Sequence, residues 1–356
     1  MSGTSLDGID AVLVVFEDGG KSRLLYSHYA PYSNALRERL LALHNPFYDD
    51  LDASARIGVE LARDYSAAVH ELLSQANASA AQIKAIGCHG QTVRHRPELG
   101  YTLQLGNPAL LAELTNISVV ADFRSRDIAA GGQGAPLVPA FHAALFGHPQ
   151  LHRVIVNIGG ISNLTDLPPS GEVKGFDCGP GNLLMDAWTM RHIGKAYDAN
   201  GAWATSGQAI PALLKAWLAH PFFQHKPPKS TGREDFNLAW LESLLSGAEA
   251  PQDIQATLLQ LTAHSIADAV AMHCERTEEI YLCGGGARNG ALVEALRSLL
   301  PNWRVGITDD LGINADSLEA FAFAWLARQT LHNLPGNLPG VTGARHACVL
   351  GAIYPV

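Results

Sequence analysis

Apolar residues follow two rhythms along this chain. Short β-branched runs closed by small polar residues read as strands. The first is Ala11-Val12-Leu13-Val14-Val15-Phe16, closed by Asp18-Gly19-Gly20. Others are expected at 23–26, 83–88, 103–106, 117–121, 153–158, 164–167 and 279–283. Elsewhere the apolar positions recur three and four apart, as in Leu61, Tyr65, Ala68 and Leu72, which predicts helix. Helices are expected at 35–43, 55–76, 108–114, 253–274 and 318–331, with one more after Asn182. Phe222 to Phe236 reads as a long polar loop. Strands alternating with helices favour an α/β fold with mixed sheets. The Gly-rich segment 129–136 is the candidate junction between domains, and 356 residues fit two domains of about 150 residues each.

Composition narrows the classes. A 47% hydrophobic and 17% charged chain has material for two folded cores. The net charge is −9 and no Lys/Arg block occurs, so no nucleic-acid partner is expected. An anionic ligand must then be held locally, by backbone amides or by a metal. The five cysteines form no Cys-x-x-Cys pair, which argues against a disulfide framework and a structural zinc site. Fifteen histidines show no ligand spacing for zinc either. With no signal-peptide pattern and no apolar stretch of membrane-spanning length, a reducing cytoplasm and no membrane partner are expected.

Candidate chemistry gathers in four turns at strand ends, where α/β sheets bind ligands. Gly3-Thr4-Ser5-Leu6-Asp7-Gly8-Ile9-Asp10 offers amides, hydroxyls and two carboxylates. It suits a polyphosphate with Asp7 beside Mg²⁺, or is an ordinary hairpin turn. Gly159-Gly160-Ile161-Ser162-Asn163 is a second small turn, and Gly284-Gly285-Gly286 a third, between strand and helix. The third is not the Gly-x-Gly-x-x-Gly dinucleotide fingerprint, since Asn289 stands where that pattern needs Gly, and no P-loop occurs. The fourth, Gly175-Phe176-Asp177-Cys178-Gly179-Pro180-Gly181-Asn182, reads as a tight loop presenting Asp177, either as a general base or as a cap on its own turn. His89 and Gln91 follow one strand, Asp122 and Arg124 another, and Glu319 lies on a helix; each is a candidate substrate contact or a salt-bridge residue.

Taken in order, these segments resemble the anhydro-N-acetylmuramic acid kinase family of the actin and hexokinase-like superfamily. The resemblance runs through Met1–Asp10, Cys88-His89-Gly90-Gln91-Thr92, Ala121-Asp122-Phe123-Arg124, the 131–139 segment, Asn157–Asn163, the Asp177 loop, Lys229-Ser230-Thr231-Gly232-Arg233-Glu234 and Cys283–Ala287. The Gly-Phe-Asp-Cys-Gly-Pro-Gly-Asn and Gly-Gly-Gln-Gly-Ala-Pro runs are its more specific parts.

The resemblance implies two actin/hexokinase-like α/β domains around a central ATP cleft, residues 1–127 with 338–356, and 128–337. It implies an ATP- and Mg²⁺-dependent enzyme of cell-wall recycling, cytoplasmic and homodimeric. Such an enzyme adds water to 1,6-anhydro-N-acetylmuramic acid, opens the anhydro ring and phosphorylates O6. Asp177 would be the catalytic base. Gly3, Thr4, Ser5, Leu6, Asp7, Gly8, Ile9 and Asp10, with Gly159 and Gly160, would bind ATP phosphates. Gly284, Gly285 and Gly286 would pack against the nucleoside. His89, Gln91, Asp122, Arg124 and Glu319 are the candidates for the sugar side. The alternatives are a plain sugar 6-kinase and a non-catalytic nucleotide switch such as actin. Family members carry a few residues before the Met-Ser-Gly-Thr-Ser segment that complete the first strand. Here Met1 opens the motif, so a looser phosphate turn is expected.

Overall fold

The computed structural model describes residues 1–3, 6–17, 22–43 and 51–356. Thr4, Ser5 and the expected turn Asp18-Gly19-Gly20 lie outside the described residues. Among those described, the strands are β1 (Gly8–Phe16), β2 (Ser22–Pro31), β3 (Ile86–Gly87), β4 (Gln91–Arg96), β5 (Tyr101–Leu105), β6 (Val119–Ala121), β7 (Arg153–Ile158), β8 (Ile161–Leu167), β9 (Lys174–Pro180), β10 (Glu279–Cys283), β11 (Arg304–Ile307) and β12 (Ala352–Tyr354). The fold is mixed α/β.

The chain divides into two units. One comprises Met1–Phe141 with Ser317–Val356, and the other His142–Asp316. The sequence boundaries at 127/128 and 337/338 differ from these. Residues 128–141 and the helix Leu318–Leu331 fall in the first unit, for reasons of packing. Phe141 and Phe321 meet with ring centroids 5.3 Å apart. Phe323 and Leu326 of the helix share a core with Val120, Phe123, Leu137 and Leu350. The Gly-rich segment is likewise tied inside the first unit, because the Gly134 amide donates to Asp127 Oδ2 at 2.8 Å.

In that first unit β6 separates two cores. Successive side chains of a strand point to opposite faces. Val119 therefore packs with Leu36, Leu40, Leu61 and Tyr65, while Val120 packs with Phe123 and Phe323. β3 runs parallel to β6 and β12 antiparallel to it. β1 pairs with β2 and β4 with β5, both antiparallel. The helix Leu51–Gln75 buries Ile57, Leu61, Tyr65, Ala68 and Leu72, the stripe its sequence spacing predicts. Its neighbour Pro108–Thr115 begins at Asn107, whose side chain accepts from the Leu110 amide at 2.9 Å, and Pro108 fills the first helical position.

The second unit holds one five-stranded sheet in the order β11-β10-β7-β8-β9. β11, β10 and β7 are parallel, while β8 and β9 continue as an antiparallel meander. Val154, Ile155 and Val156 are all buried, so β7 is covered on both faces, as its unbroken apolar run suggests. The helix Pro251–His273 is mostly buried, with its apolar residues spread around it, as expected of an interior helix.

β4, β9, β11 and β12 were not expected. Asp177 lies within strand β9 opposite Asn163, not on a tight loop. Gly175, Gly179 and Pro180 hid the strand because they break its alternation. A register shift between Ser162 and Asn163 accommodates them.

Candidate active site

In the second unit the glycine turns converge on the end of β7. The turn Gly159-Gly160 has no side chains to shield its carbonyls, and the amides of Asn182 and Gly181 reach them at 2.8 and 2.9 Å. A Cβ on Gly181 would sit 2.3 Å from the Gly159 oxygen, so only glycine fits. Gly284 has φ +74°, and a Cβ there would come within 2.4 Å of Asn157 Oδ1. A Cβ on Gly286 would meet Ile158 Cγ2 at 2.2 Å. Asn182 Nδ2 donates to the Ile158 carbonyl at 3.2 Å. The structure thus brings Gly159, Gly160, Gly284 and Gly286 together around Asn157, Ile158 and Asn182. Gly285 faces Asn182. Asn182 was not singled out by sequence reasoning. It stands between a glycine turn and a helix start, and that position is the signal that could have found it. Bare backbone of this kind allows a phosphate or nucleoside close approach.

Asp177 is half-buried on β9, two strands from β7. Its Oδ2 accepts from the Thr231 amide at 3.0 Å and from Ser230 Oγ at 3.1 Å, while its own amide donates to the Lys229 carbonyl at 3.1 Å. Among the described residues no hydrogen bond reaches Oδ1. The 229–231 segment is rooted by an aromatic cluster. Phe222, Phe223 and Phe236 are buried together, and Lys229 Nζ lies 4.6 Å from the Phe222 ring centre. The expected polar loop is therefore partly core. Desolvation pushes the Asp177 carboxyl above the usual carboxylate range. The Thr231 amide, the Ser230 hydroxyl and Lys229 pull it back, and Glu234 adds to the rise. One oxygen held and the other accessible is a geometry for accepting a proton.

In the first unit the backbones of Met1 and Asp10 form a reciprocal pair. The Met1 ammonium donates to the Asp10 carbonyl at 2.7 Å, and the Asp10 amide to the Met1 carbonyl at 2.8 Å. Leu6, at φ +57°, and Ile9 bury their side chains in the core, so they can offer only backbone to a ligand. Gly8 passes so close to β2 that a Cβ would lie 2.5 Å from the Ala30 oxygen. Asp7 is exposed and Asp10 half-buried.

The sugar-side candidates do not form one cluster. Asp122, at φ +58°, accepts from Ser125 Oγ at 2.5 Å and from its amide at 3.4 Å, so its carboxylate is tied to the first residue of the helix Ser125–Ala129. His89, Gln91 and Arg124 cluster beside Ser2 and Gly3. Glu319 is exposed at the start of its helix. Partial desolvation raises its carboxyl above the usual range, Arg124 and the N-terminal ammonium lower it, and Asp10 and Asp7 raise it. Among the described residues no three His, Cys, Asp or Glu side chains gather to hold a metal ion.

Glycine turns stripped to backbone, with the Asp177 carboxylate on β9, are an arrangement that can receive an anionic ligand and accept a proton. A family profile described as anhydro-N-acetylmuramic acid kinase matches residues 1–356, and the chain belongs to that family. It is 58% identical to the anhydro-N-acetylmuramic acid kinase of Nitrosospira multiformis, over 100% of this chain and 97% of that one. It is 57% identical to the enzyme of the same description from Nitrosomonas europaea, over 100% and 98%. Among solved structures, the activator of the 2-hydroxyisocaproyl-CoA dehydratase from Clostridium difficile, with bound ADPNP, superposes at a TM-score of 0.42. The identity is 13%, over 90% of this chain and 97% of that chain. The chain is therefore a kinase by family. No helix among the described residues is long and apolar enough to cross a membrane.

Proposed function

We propose that this kinase couples hydrolysis to phosphoryl transfer. Its substrates are 1,6-anhydro-N-acetylmuramic acid, ATP and water, and its products N-acetylmuramic acid 6-phosphate and ADP. Water forms a bond to C1 and gives its proton to Asp177. The C1–O6 bond breaks with oxocarbenium character at C1. O6 forms a bond to the γ-phosphorus as the bridge to the β-phosphate breaks. The leaving oxygen is captured by phosphorus, so a separate general acid is unnecessary.

The observation that carries this reading is the Asp177 carboxylate. One of its oxygens is fixed by Ser230 and Thr231, and burial raises its proton affinity toward that of a working base. The backbone of Gly3 to Asp10 and the turn Gly159-Gly160 would take the phosphates, and Gly284 to Gly286 the nucleoside. Thr4 and Ser5 belong to this assignment by motif. Arg124, Glu319 and Asp122 keep their place as sugar-side candidates.

Mg²⁺ needs one or two carboxylates together with phosphate oxygens and water, not a protein cage. The exposed Asp7 beside the turn fits that demand, and the ion would there offset phosphate charge. The family reading also includes a homodimer and a cytoplasmic location. Light scattering after size exclusion tests the first.

A plain sugar 6-kinase would use the same Asp177 to take the proton of an acceptor hydroxyl, so one experiment separates the two. Mass spectrometry after incubation with the anhydro sugar, Mg²⁺ and ATP in ¹⁸O-water should show a gain of one phosphoryl group plus one labelled water. Asp177→Asn should show neither. A gain of phosphoryl alone sinks the hydrolytic role.

A further inference from the structure

We infer that His89 and Gln91 are positioning residues of the nucleotide turn, holding the carbonyls of Ser2 and Gly3, and that Arg124 fixes the His89 ring in the tautomer this requires. The inference rests on the reading above that the segment from Gly3 onward binds ATP phosphates. It assigns His89 and Gln91 to the nucleotide side, where the motif placed them on the sugar side.

The geometry follows from what each atom can donate. His89 Nδ1 lies 3.1 Å from the Ser2 carbonyl oxygen, which only accepts, so Nδ1 carries the proton. Nε2 is then a bare lone pair, and Arg124 supplies two donors to it, Nε at 3.1 Å and Nη2 at 2.9 Å. A guanidinium is always protonated and cannot accept, so its presence forbids a proton on Nε2. Arg124 is itself anchored through Nη1 to the Gly134 carbonyl at 2.8 Å. The Phe323 ring stands 4.5 Å from the imidazole, centroid to centroid, and fixes its plane.

Gln91 repeats the arrangement at the next carbonyl, that of Gly3. It is 0% exposed, and its Nε2 donates to the Gly3 carbonyl at 3.0 Å. Its Oε1 is buried with no hydrogen-bond partner. A buried amide left half-satisfied costs free energy, so holding the Gly3 carbonyl is what fixes its orientation.

The consequence concerns the sign of the field around the turn. Backbone binds an anion through N–H groups, and a carbonyl oxygen aimed at the same place repels it. Two consecutive carbonyls tied to His89 and Gln91 are kept from the ligand. Both ring nitrogens of His89 and one N–H of the Gln91 amide are thereby used, which leaves no His89 nitrogen for a sugar.

The test is a split between ligands. Calorimetry with a non-hydrolysable ATP analogue gives nucleotide Kd, and steady-state kinetics gives KM for the anhydro sugar. His89→Ala and Gln91→Met should each raise the nucleotide Kd about tenfold or more while the sugar KM stays within about twofold. His89→Asn, which keeps a donor near the Nδ1 position, should recover most of the loss. Thermal melts show which variants fold, and Gln91→Met carries the test if His89→Ala does not. A raised sugar KM with unchanged nucleotide Kd overturns the assignment, as does an equal rise in both or a failure of His89→Asn to rescue. A wild type that binds no analogue overturns the parent reading and this one with it. A wild type that binds, with unaffected variants, overturns the positioning role alone.

Discussion

Ser230 and Asp177 are 53 residues apart in sequence, and Ser230 Oγ donates to Asp177 Oδ2 at 3.1 Å. That bond stabilises the charged form of the carboxylate against a burial that disfavours it. Only the charged form accepts a proton, so the rate of the proposed reaction should fall as pH drops through the Asp177 pKa. Ser230→Ala removes one stabiliser and should raise that pKa. The acid limb of the kcat–pH profile should move up by roughly 0.5–1 unit, with the plateau changed by less than about threefold. An unmoved limb would mean that Ser230 does not tune the base.

Gly284→Ala should cost both stability and nucleotide affinity. Its φ of +74° strains any L side chain by about 1–2 kcal/mol, and the added Cβ meets Asn157 Oδ1 at 2.4 Å. The expected total is about 2–4 kcal/mol in urea unfolding. Gly247, at φ +84° with nothing within 4 Å of a Cβ, is the control and should lose only about 1 kcal/mol. Equal losses at the two positions would refute the crowding argument.

Asp127 should be a structural hub. It is 0% exposed and accepts from Asn337 Nδ2 at 2.6 Å, Thr342 Oγ1 at 2.7 Å and the Gly134 amide at 2.8 Å. Asp127→Ala strands three buried donors and should destabilise the protein by roughly 3–5 kcal/mol. A loss under 1 kcal/mol in denaturant unfolding would show that water replaces the carboxylate there.

Asp186 should make stability fall toward neutral pH. Burial first, and the charge of Asp198 second, raise its carboxyl to about 7. The folded state therefore binds a proton more tightly than the unfolded chain, and the stability from that proton is lost as pH rises from about 4 to about 7. Asp186→Asn should raise Tm at pH 8 and leave it nearly unchanged at pH 4. The gain at pH 8 should be on the order of 1–2 kcal/mol, below the ceiling of about 4 kcal/mol that a shift of this size sets. A gain equal at both pH values would exclude titration as the cause.

The sequence was most legible where one local rule decided the outcome. β7 and β10 were plain because a strand buried on both faces is apolar throughout. The helix Leu51–Gln75 was plain because its stripe is regular. β9 was missed because glycine and proline flank the residue that matters, and because it is seated against β8 through a register shift rather than a regular ladder. The glycine turns could be read as backbone-exposing. Their convergence on Asn157 and Asn182 could not, since it brings Gly284 to Asn157, 127 residues away, and Gly285 to Asn182, 103 residues away. His89 and Gln91 illustrate the other limit. Their polarity beside a strand end marked them as functional, but only the positions of Ser2, Gly3 and Arg124 show which atoms they hold.

One consequence of the connectivity concerns synthesis on the ribosome, which delivers the chain from its N-terminal end. Every strand of the five-stranded sheet has emerged once Ile307 is clear of the exit tunnel. β6 must wait for Ala352–Tyr354 before its antiparallel neighbour exists, with Ala352 opposite Ala121. The inserted segment can thus mature during translation. The segment translated first keeps an unpaired β edge until Ala352–Tyr354 are made, and that edge is where a nascent chain of this protein is open to mispairing or to a chaperone.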